Sequence, residues 1–311
     1  MRGILIAVLL AWSAPAGAQF SETTPLPDGY AGHALLSAAG HLYKLGGMSV
    51  TNGVYDSRRV QFARVEGPGR LGPWVESDPL PVGIYFHGAV AVGTNLYILG
   101  GYNFENDEAL ASRRVYHATV GADGRPGEWR RGPDLPEAVF FMSAAHWNGT
   151  IYATGGFNGE TLTRGVYSAR IGADGSLSAW TSLAGLPEGV YTHAAVSDGT
   201  LYVLGGAVNG GSEIFNGVYM AAIAADGSLS PWTPTTPLPY PVSNHAASFA
   251  NGRIYVSGGW TGDSQTDAVV ASLVLADKTL GEWQSVGTMP RRLYTHASAV
   301  ADGYLFIAGG I

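Results

Sequence analysis

A pair of adjacent glycines, preceded three residues earlier by an aromatic residue, recurs six times at a regular interval along this chain of 311 residues. The pairs begin at Gly46, Gly100, Gly155, Gly205, Gly258 and Gly309, at intervals of 54, 55, 50, 53 and 51 residues. Recurrence at such a period indicates one supersecondary unit that is repeated along the chain. A chain of this kind folds as an array of similar units, each of which buries its apolar surface against its neighbours.

The residues that flank each glycine pair also repeat. Three residues before the first glycine stands an aromatic residue in every copy: Tyr43, Tyr97, Tyr152, Tyr202, Tyr255 and Phe306. Four copies place a tight-turn dipeptide just before that aromatic: Asn148-Gly149, Asp198-Gly199, Asn251-Gly252 and Asp302-Gly303. Short alternating apolar runs on both sides of these turns are the pattern of a β-hairpin.

A second set of residues recurs upstream of each hairpin. One fixed position, six residues after a proline, is occupied by His33, His87, Met142, His193, His245 and His296. Seven residues before that proline stands a large aromatic: Phe20, Trp74, Trp129, Trp180, Trp232 and Trp283. The residue after the fixed position is always small, as crowding around one axis would require: Ala34, Gly88, Ser143, Ala194, Ala246 and Ala297.

These positions divide each unit into four predicted strands, A to D. Strand A runs from the fixed position to the turn, and strand B carries the aromatic into the glycine pair. Strand C is a Val-led stretch such as Val115 to Val120, and strand D runs from Trp to Leu-Pro. Four strands in each unit, with no helical periodicity after the first segment, predict β-propeller blades. We therefore predict an all-β fold, a single propeller of six four-stranded blades.

The glycine pair, the aromatic before it and the downstream Trp resemble the kelch repeat. The resemblance covers residues 19–311 and implies a ring of four-stranded blades. It also implies that the D-to-A and B-to-C loops share one face, the face on which resembling propellers bind ligands. The A-to-B and C-to-D turns would then lie on the opposite face.

The first eighteen residues have a different character. Arg2 is followed by the apolar run Ile4 to Trp12 and then by Ala16-Gly17-Ala18, a small-x-small cleavage pattern. A membrane helix would need about 20 apolar residues, and Ser13 interrupts this run too early. We predict a secretory signal over residues 1–18, a propeller over residues 19–311 and a periplasmic or secreted protein without membrane insertion.

The ends of the repeat array predict how the ring closes. Residues 20–27 match the strand D of the fourth unit, residues 232–239, so the chain opens with a strand D. The sixth unit stops after strand B and lacks a strand C at the C-terminus, so either the given sequence is truncated, which could hide a seventh blade, or the N-terminal strand pairs directly with the last strand B. We predict that residues 20–27 join the sixth blade, either beside its strand B or one strand's width away.

Composition excludes several classes of function. The chain has no Cys, which rules out disulfides, Cys-ligated zinc, iron–sulfur clusters and thiol nucleophiles. Its net charge of −7 has the wrong sign for tracking a phosphate backbone, so we expect no nucleic-acid partner. We also expect no cofactor and a monomeric protein.

The repeated residues favour structural roles. Histidines at equivalent positions of separate blades are spread around a ring, whereas a metal needs ligands within about 2.1 Å of one point. We therefore interpret them as structural residues that satisfy backbone groups between adjacent blades, where loop becomes strand, rather than as metal ligands. The repeated Trp and Tyr residues are interpreted as core in the same way.

Residues that vary between units are better candidates for binding. Tyr85, Tyr191 and Tyr294 stand two residues before the fixed position, and Arg292 and Trp260 lie in neighbouring loops. A rim of Tyr, Trp and Arg suits a peptide, protein or glycan ligand, although exposed loop residues without a partner are an equally valid interpretation. The acidic residues Glu105, Asp107 and Glu108 lack the spacing of a calcium loop and are interpreted as solvated surface.

Known kelch-type and related enzymes supply the alternative. Galactose oxidase needs a Tyr crosslinked to Cys, which this chain cannot form, and the Asp-box of sialidases is absent because Gly175 directly follows Asp174. A sialic acid mutarotase of the periplasmic kelch type fits the blade number but has no diagnostic motif here. We expect a non-enzymatic binding or scaffold module that acts through the loop face, with a mutarotase-like carbohydrate-active enzyme as the alternative.

Overall fold

The computed structural model describes residues 5–9, 20–49, 58–105 and 108–311. Two strands precede the first repeat, β1 (Leu5–Leu9) and β2 (Phe20–Glu22). The first repeat contains β3 (Tyr30–Ala31), β4 (Ala34–Ala38), β5 (His41–Leu45), β6 (Met48–Ser49), β7 (Val60–Gly67), β8 (Arg70–Leu71) and β9 (Val75–Glu76). The second contains β10 (Gly83–Tyr85), β11 (Gly88–Val92), β12 (Asn95–Leu99), β13 (Tyr102–Glu105), β14 (Glu108–Ala111), β15 (Val115–Thr119) and β16 (Arg130–Arg131).

The later repeats follow the same order. The third contains β17 (Ser143–Trp147), β18 (Thr150–Thr154), β19 (Val166–Arg170) and β20 (Thr181–Ser182). The fourth contains β21 (Ala194–Ser197), β22 (Thr200–Leu204), β23 (Ala207–Val208), a 3-10 turn (Asn209–Gly211), β24 (Glu213–Ile214), β25 (Val218–Ala222) and β26 (Thr233–Thr235). The fifth contains β27 (Ala246–Ala250), β28 (Arg253–Ser257), β29 (Ala268–Leu273) and β30 (Gln284–Thr288), and the sixth contains β31 (Ala297–Ala301) and β32 (Tyr304–Ala308).

Each repeat forms one antiparallel blade whose strands A to D are paired in sequence order. The second blade has the order β11-β12-β15-β16, and the third, fourth and fifth blades repeat it. In the first blade, β4-β5-β7 is completed by β8 and β9, which both pair with β7. Adjacent strands A contact one another in a cycle from β4 through β11, β17, β21, β27 and β31 back to β4. The predicted β-propeller is therefore confirmed, with six blades among the described residues.

A closed cycle of backbone hydrogen bonds ties the six blades together at the axis. We call the residue directly before the fixed position the hub residue, and its N–H donates to the carbonyl of the hub residue of the preceding blade. Phe86 donates to Gly32 over 2.8 Å, and Gly32 donates to Thr295 over 3.1 Å, which closes the cycle. Blade order in space therefore equals repeat order in the chain.

The hydrophobic core lies between neighbouring blades. Tyr43 and Leu45 of the first blade pack in one cluster with Leu96 and Ile98 of the second, and Trp129 covers its outer edge. Strands A contribute small side chains around the axis, so a channel of about 400 Å³ remains there, open on the turn face. Each blade is therefore stabilised by its two neighbours, and the ring is stable only when it is closed.

The sixth blade is completed from the N-terminus, but not as the sequence indicated. Its strand order is β2-β1-β32-β31. Phe20–Glu22 lies one strand's width from strand B, as predicted, but the strand C position between them is filled by Leu5–Leu9 rather than left open. The expected missing strand C is therefore supplied from within the predicted signal segment, because the unpaired N–H and C=O groups along Tyr304–Ala308 favour any extended segment within reach.

The described residues contain no α-helix, and none of their segments is a helix long and apolar enough to cross a membrane. The proposed signal cleavage itself stays a prediction. Asp107 lies outside the described residues, and Glu105 and Glu108 face each other across the β13–β14 pair in backbone register.

Candidate functional site

The D-to-A and B-to-C loops meet on one face because their first residues pair. We call the residue two before the fixed position the rim residue. It exchanges two backbone hydrogen bonds with the residue that follows the glycine pair of the same blade. Phe140 pairs with Phe157 in this way over 3.0 and 2.8 Å, and Tyr191 pairs with Ala207 over 3.2 and 2.9 Å. Both sets of loops therefore surround one end of the axis, as the kelch resemblance implied.

Three positions in each of the six blades line this end of the axis, which we call the mouth. They are the rim residue, the hub residue and the residue after the glycine pair. The full set is Ala31, Gly32, Met48, Tyr85, Phe86, Tyr102, Phe140, Phe141, Phe157, Tyr191, Thr192, Ala207, Ser243, Asn244, Trp260, Tyr294, Thr295 and Ile311. None of these eighteen side chains is charged, and half of them are aromatic.

Seven of the aromatic side chains form one continuous array across the second, third and fourth blades. Phe86 and Phe141, two hub residues, have ring centroids 4.1 Å apart. Tyr191 meets Phe141 edge-on at 5.4 Å, and Tyr85 lies 5.0 Å from Phe86. The remaining rings extend the array outwards, namely Tyr102, Phe140 and Phe157. All seven rings are only half-buried, so their outer faces are available to a ligand.

The other half of the mouth is more polar. Its hub residues are Asn244 and Thr295, and Trp260 and Tyr294 form a separate aromatic pair with centroids 6.1 Å apart. Arg292 is exposed beside this pair, and no described residue forms an ion pair with it.

The structure divides the five candidate residues into two groups. Tyr85 and Tyr191 belong to the aromatic array, whereas Trp260, Tyr294 and Arg292 lie on the polar side. Their contribution to binding stays a prediction. Sequence reasoning missed the hub phenylalanines Phe86 and Phe141, which directly follow two rim aromatics; a second aromatic where other units have Gly, Thr or Asn was the available signal.

The hub residues have an unusual backbone conformation. Five of them are not glycine and yet have φ between 51° and 55°: Phe86, Phe141, Thr192, Asn244 and Thr295. Left-handed backbone costs about 1 kcal/mol or more for residues with a Cβ atom, and it persists only where surrounding structure holds it. Here the closed cycle of hydrogen bonds holds it, and it directs Phe86 and Phe141 towards the axis.

The fixed-position histidines pack beneath the mouth. Each lies between the second glycine of its own pair and the first glycine of the preceding blade. A Cβ atom on Gly101 would lie 2.7 Å from the Cβ of His87, and a Cβ atom on Gly46 would lie 3.1 Å from its Cε1. Both glycines also have positive φ. Only glycine therefore allows the blades to approach this closely around the imidazole.

Burial keeps these histidines neutral. It lowers the pKa of His87 and His245 to about 3 and that of His193 and His296 to about 4. Burial also lowers the pKa of His33, with a further effect of the Lys44 charge. His193 Nε2 lies 2.9 Å from Thr154 Oγ1 of the preceding blade. The histidines thus lie between blades, as interpreted, but the expected bonds to backbone groups are not general, since neither ring nitrogen of His87 has a hydrogen-bond partner among the described residues. No group of three or more metal-ligating side chains occurs among the described residues.

The repeated Trp residues also link neighbouring blades. Trp180 Nε1 donates to the Pro133 carbonyl over 2.9 Å, and Trp232 Nε1 donates to the Ala184 carbonyl over 3.0 Å. Their indole rings are half-buried rather than fully buried as a core role would suggest. These Trp residues thus share a structural role, but they link the blades from the edge of the core and not from its centre.

The first blade contains a polar cluster that the sequence analysis overlooked. Lys44 is fully buried, and its Nζ lies 3.3 Å above the centre of the Tyr30 ring. Arg59 Nη1 bonds Asp28 over 3.0 Å and the Tyr30 hydroxyl over 3.2 Å. At the position of Lys44, the other blades have only Ile98, Ala153, Val203, Val256 and Ile307. The first blade thus holds a buried cation at a position that is apolar in the other five blades.

Comparison with known proteins agrees with this architecture. A family model described as the KLHDC2/KLHL20/DRC7 Kelch-repeats domain matches residues 142–311. Kelch-like protein 23 of Homo sapiens is 23% identical over 227 residues, which cover 72% of this chain and 36% of that protein. Kelch-like protein terF of Aspergillus terreus is 26% identical over 256 residues, 77% of this chain and 52% of that protein. The chain thus spans only about a third to a half of the length of these relatives.

A solved structure shows the same fold over nearly the whole chain. The structure of YjhT superposes with a TM-score of 0.73 at 14% sequence identity and covers 91% of both chains. At that identity the likeness concerns the fold alone. The family model spans more than half of the chain, and the same repeat continues through the remainder. The chain belongs to the kelch-repeat family of β-propellers.

Proposed function

We propose that this chain is a non-enzymatic binding module that holds a partner at the mouth of the propeller. The observation that carries the proposal is the array of seven half-buried aromatic rings on an otherwise repetitive scaffold. Contiguous exposed apolar surface indicates an interaction site, and aromatic anchors dominate binding energy at such sites. Kelch domains generally bind protein partners, which supports the same assignment.

The chemistry of the mouth disfavours the enzymatic alternative. A mutarotase-like enzyme needs a general acid and a general base within hydrogen-bonding reach of the sugar. None of the eighteen side chains at these positions is a carboxylate or an imidazole, and the imidazoles that line the cavity of about 150 Å³ behind the hub residues are those of the fixed-position histidines. The five fixed-position histidines are buried beneath the mouth, each at most 9% exposed. Binding without turnover is therefore the function that the site supports best.

The test combines ligand arrays with point variants. The protein is screened on a peptide array and a glycan array, and NMR follows anomer interconversion of every sugar that binds. We expect Tyr191→Ala and Arg292→Ala to weaken binding with little change in melting temperature. Trp180→Ala should instead lower stability by roughly 3 kcal/mol, since a large indole that packs between blades is lost. Catalysed anomer exchange would overturn the proposal, as would failure to bind any probe.

Export is proposed from residues 1–18 alone. Cleavage after Ala18 would start the mature chain at Gln19 and remove the strand Leu5–Leu9. Mass spectrometry of the protein expressed with its N-terminus intact distinguishes the two forms. A chain that starts at Gln19 supports export, and a chain that retains Leu5–Leu9 contradicts it.

A further inference from the structure

We propose that the aromatic array of the mouth binds an uncharged, proline-rich segment of a partner protein in the polyproline II conformation. This inference rests on the proposed binding function and specifies its ligand. It draws on three observations: the absence of charge in the mouth, the spacing of the rings and the lack of free backbone groups around them.

The absence of charge excludes ligands that present a charge to the array. A charged group that loses its hydration without a partner costs several kcal/mol. None of the rim, hub and post-glycine side chains of the mouth is charged, and the exposed Arg292 lies on the polar side rather than in the ring array. A carboxylate or phosphate over the array would therefore be unpaired, and a neutral segment is favoured.

The ring spacing suits an extended helix rather than a single inserted side chain. From Tyr85 through Phe86 and Phe141 to Tyr191, successive centroids are 5.0, 4.1 and 5.4 Å apart. Successive residues of a polyproline II helix, which rises roughly 3.1 Å per residue, can therefore contact different rings of the array. The planes of these rings are inclined by 38° to 69°, so the array presents a stepped surface rather than a flat one.

Proline also matches the hydrogen-bonding state of the mouth. The hub residues Phe86 and Phe141 use their N–H and C=O groups in the axial cycle, and Phe140 and Tyr191 use theirs to pair with the next loop. A bound segment with many N–H groups would find no free carbonyl on these four residues and would lose hydrogen bonds to water. Proline has no N–H and offers an apolar ring to the aromatic faces.

The experiment measures binding of three soluble probes to the full chain by isothermal titration calorimetry: decaproline, maltohexaose and N-acetylneuraminic acid. We expect decaproline to bind and the two sugars not to bind. Tyr191→Ala should weaken decaproline binding at least fivefold, and Tyr191→Phe should keep it within twofold because the ring face is retained. Trp147→Ala is the matched control, since this indole is 41% exposed on the opposite face.

Each other outcome counts against the inference. Binding of a sugar without decaproline would overturn the proline assignment and leave a binding module in place. Decaproline binding that Trp147→Ala abolishes and Tyr191→Ala does not would place the site on the turn face. If neither the three probes nor the arrays bind, the proposed function fails together with this inference. Circular dichroism melts of all variants separate lost binding from lost folding.

Discussion

The aromatic residue before each glycine pair connects its blade to the next one through a single hydroxyl group. Tyr97 Oη donates to the Gly175 carbonyl of the following blade over 2.8 Å, and Tyr43 donates to the Gly124 carbonyl over the same distance. Tyr152 and Tyr202 make the equivalent bonds. Burial raises the pKa of Tyr97 to about 12, with the nearby Asp174 charge as a second cause, so the hydroxyl remains a donor at neutral pH.

Tyr97→Phe should therefore destabilise the ring while preserving its packing. The variant leaves the Gly175 carbonyl without its donor, and an unsatisfied buried acceptor costs about 1–2 kcal/mol. Urea unfolding at pH 7 measures the loss. Tyr304→Phe is the control, because its half-buried hydroxyl has no hydrogen-bond partner among the described residues. Equal stability of Tyr97→Phe and the parent would show that the hydroxyl bond does not join the blades.

At the scale of secondary-structure elements, the sixth blade depends on strands from both ends of the chain. β1 pairs with Tyr304–Ala308 at five positions and with β2 at three. The segment after β2 also packs on the first blade: Leu26 is fully buried, and Trp74 Nε1 donates to the Thr24 carbonyl over 3.2 Å. This N-terminal segment therefore belongs to the ring rather than to a tail.

Deletion of residues 19–27 should destabilise the whole propeller. The deletion removes β2 and Leu26, and an open ring exposes the clusters that neighbouring blades share. Thermal melting followed by circular dichroism checks the loss. The point variant Leu26→Ala keeps the strand and should cost about 2–5 kcal/mol as a buried large-to-small change. A deletion variant that melts like the parent would refute closure through this segment.

For the whole molecule, the histidines between the blades make stability depend on pH. Five of the six fixed positions carry a buried His whose pKa burial lowers, to about 3 for His87 and His245 and to about 4 for His193 and His296. The unfolded chain binds these protons near pH 6.5, and the folded ring does not. The contribution of these histidines to the free energy of unfolding is therefore fully present above pH 6.5, and it is lost as the pH falls towards about 4.

Acid unfolding should be steep, and its midpoint should depend on the number of histidines. Below its unfolded pKa, each His lowers the free energy of unfolding by about 1.4 kcal/mol per pH unit. Five such residues together therefore remove an amount comparable to the whole stability of a typical domain within one or two pH units. Met142 shows that methionine fits the same site, which makes His87→Met the matched variant. Its acid midpoint should be lower than that of the parent, with similar stability at pH 7.5. Identical midpoints by circular dichroism would assign the transition to other groups.

The repeats, the strands and the two faces could be read from the sequence because they depend on local chemistry. The glycine pairs, Asx-Gly turns and small residues of strand A specify hairpins and close approach within any one unit of about 50 residues. A pattern repeated six times also requires each unit to pack against another like itself. Family, fold and the positions of loops and turns follow from this.

Only the tertiary structure decided which residues from different repeats meet. Phe86, Phe141 and Tyr191 are separated by about one repeat each, and their rings make contact because left-handed hub residues and ring closure direct them towards one axis. Ring closure also places Lys44 over Tyr30, and Leu5–Leu9 pairs with the strand edge Tyr304–Ala308 of the sixth blade. Pairing of a strand edge and contact between blades are non-local, since they depend on what else lies within reach in the closed ring. No residue pattern within a single repeat contains that information.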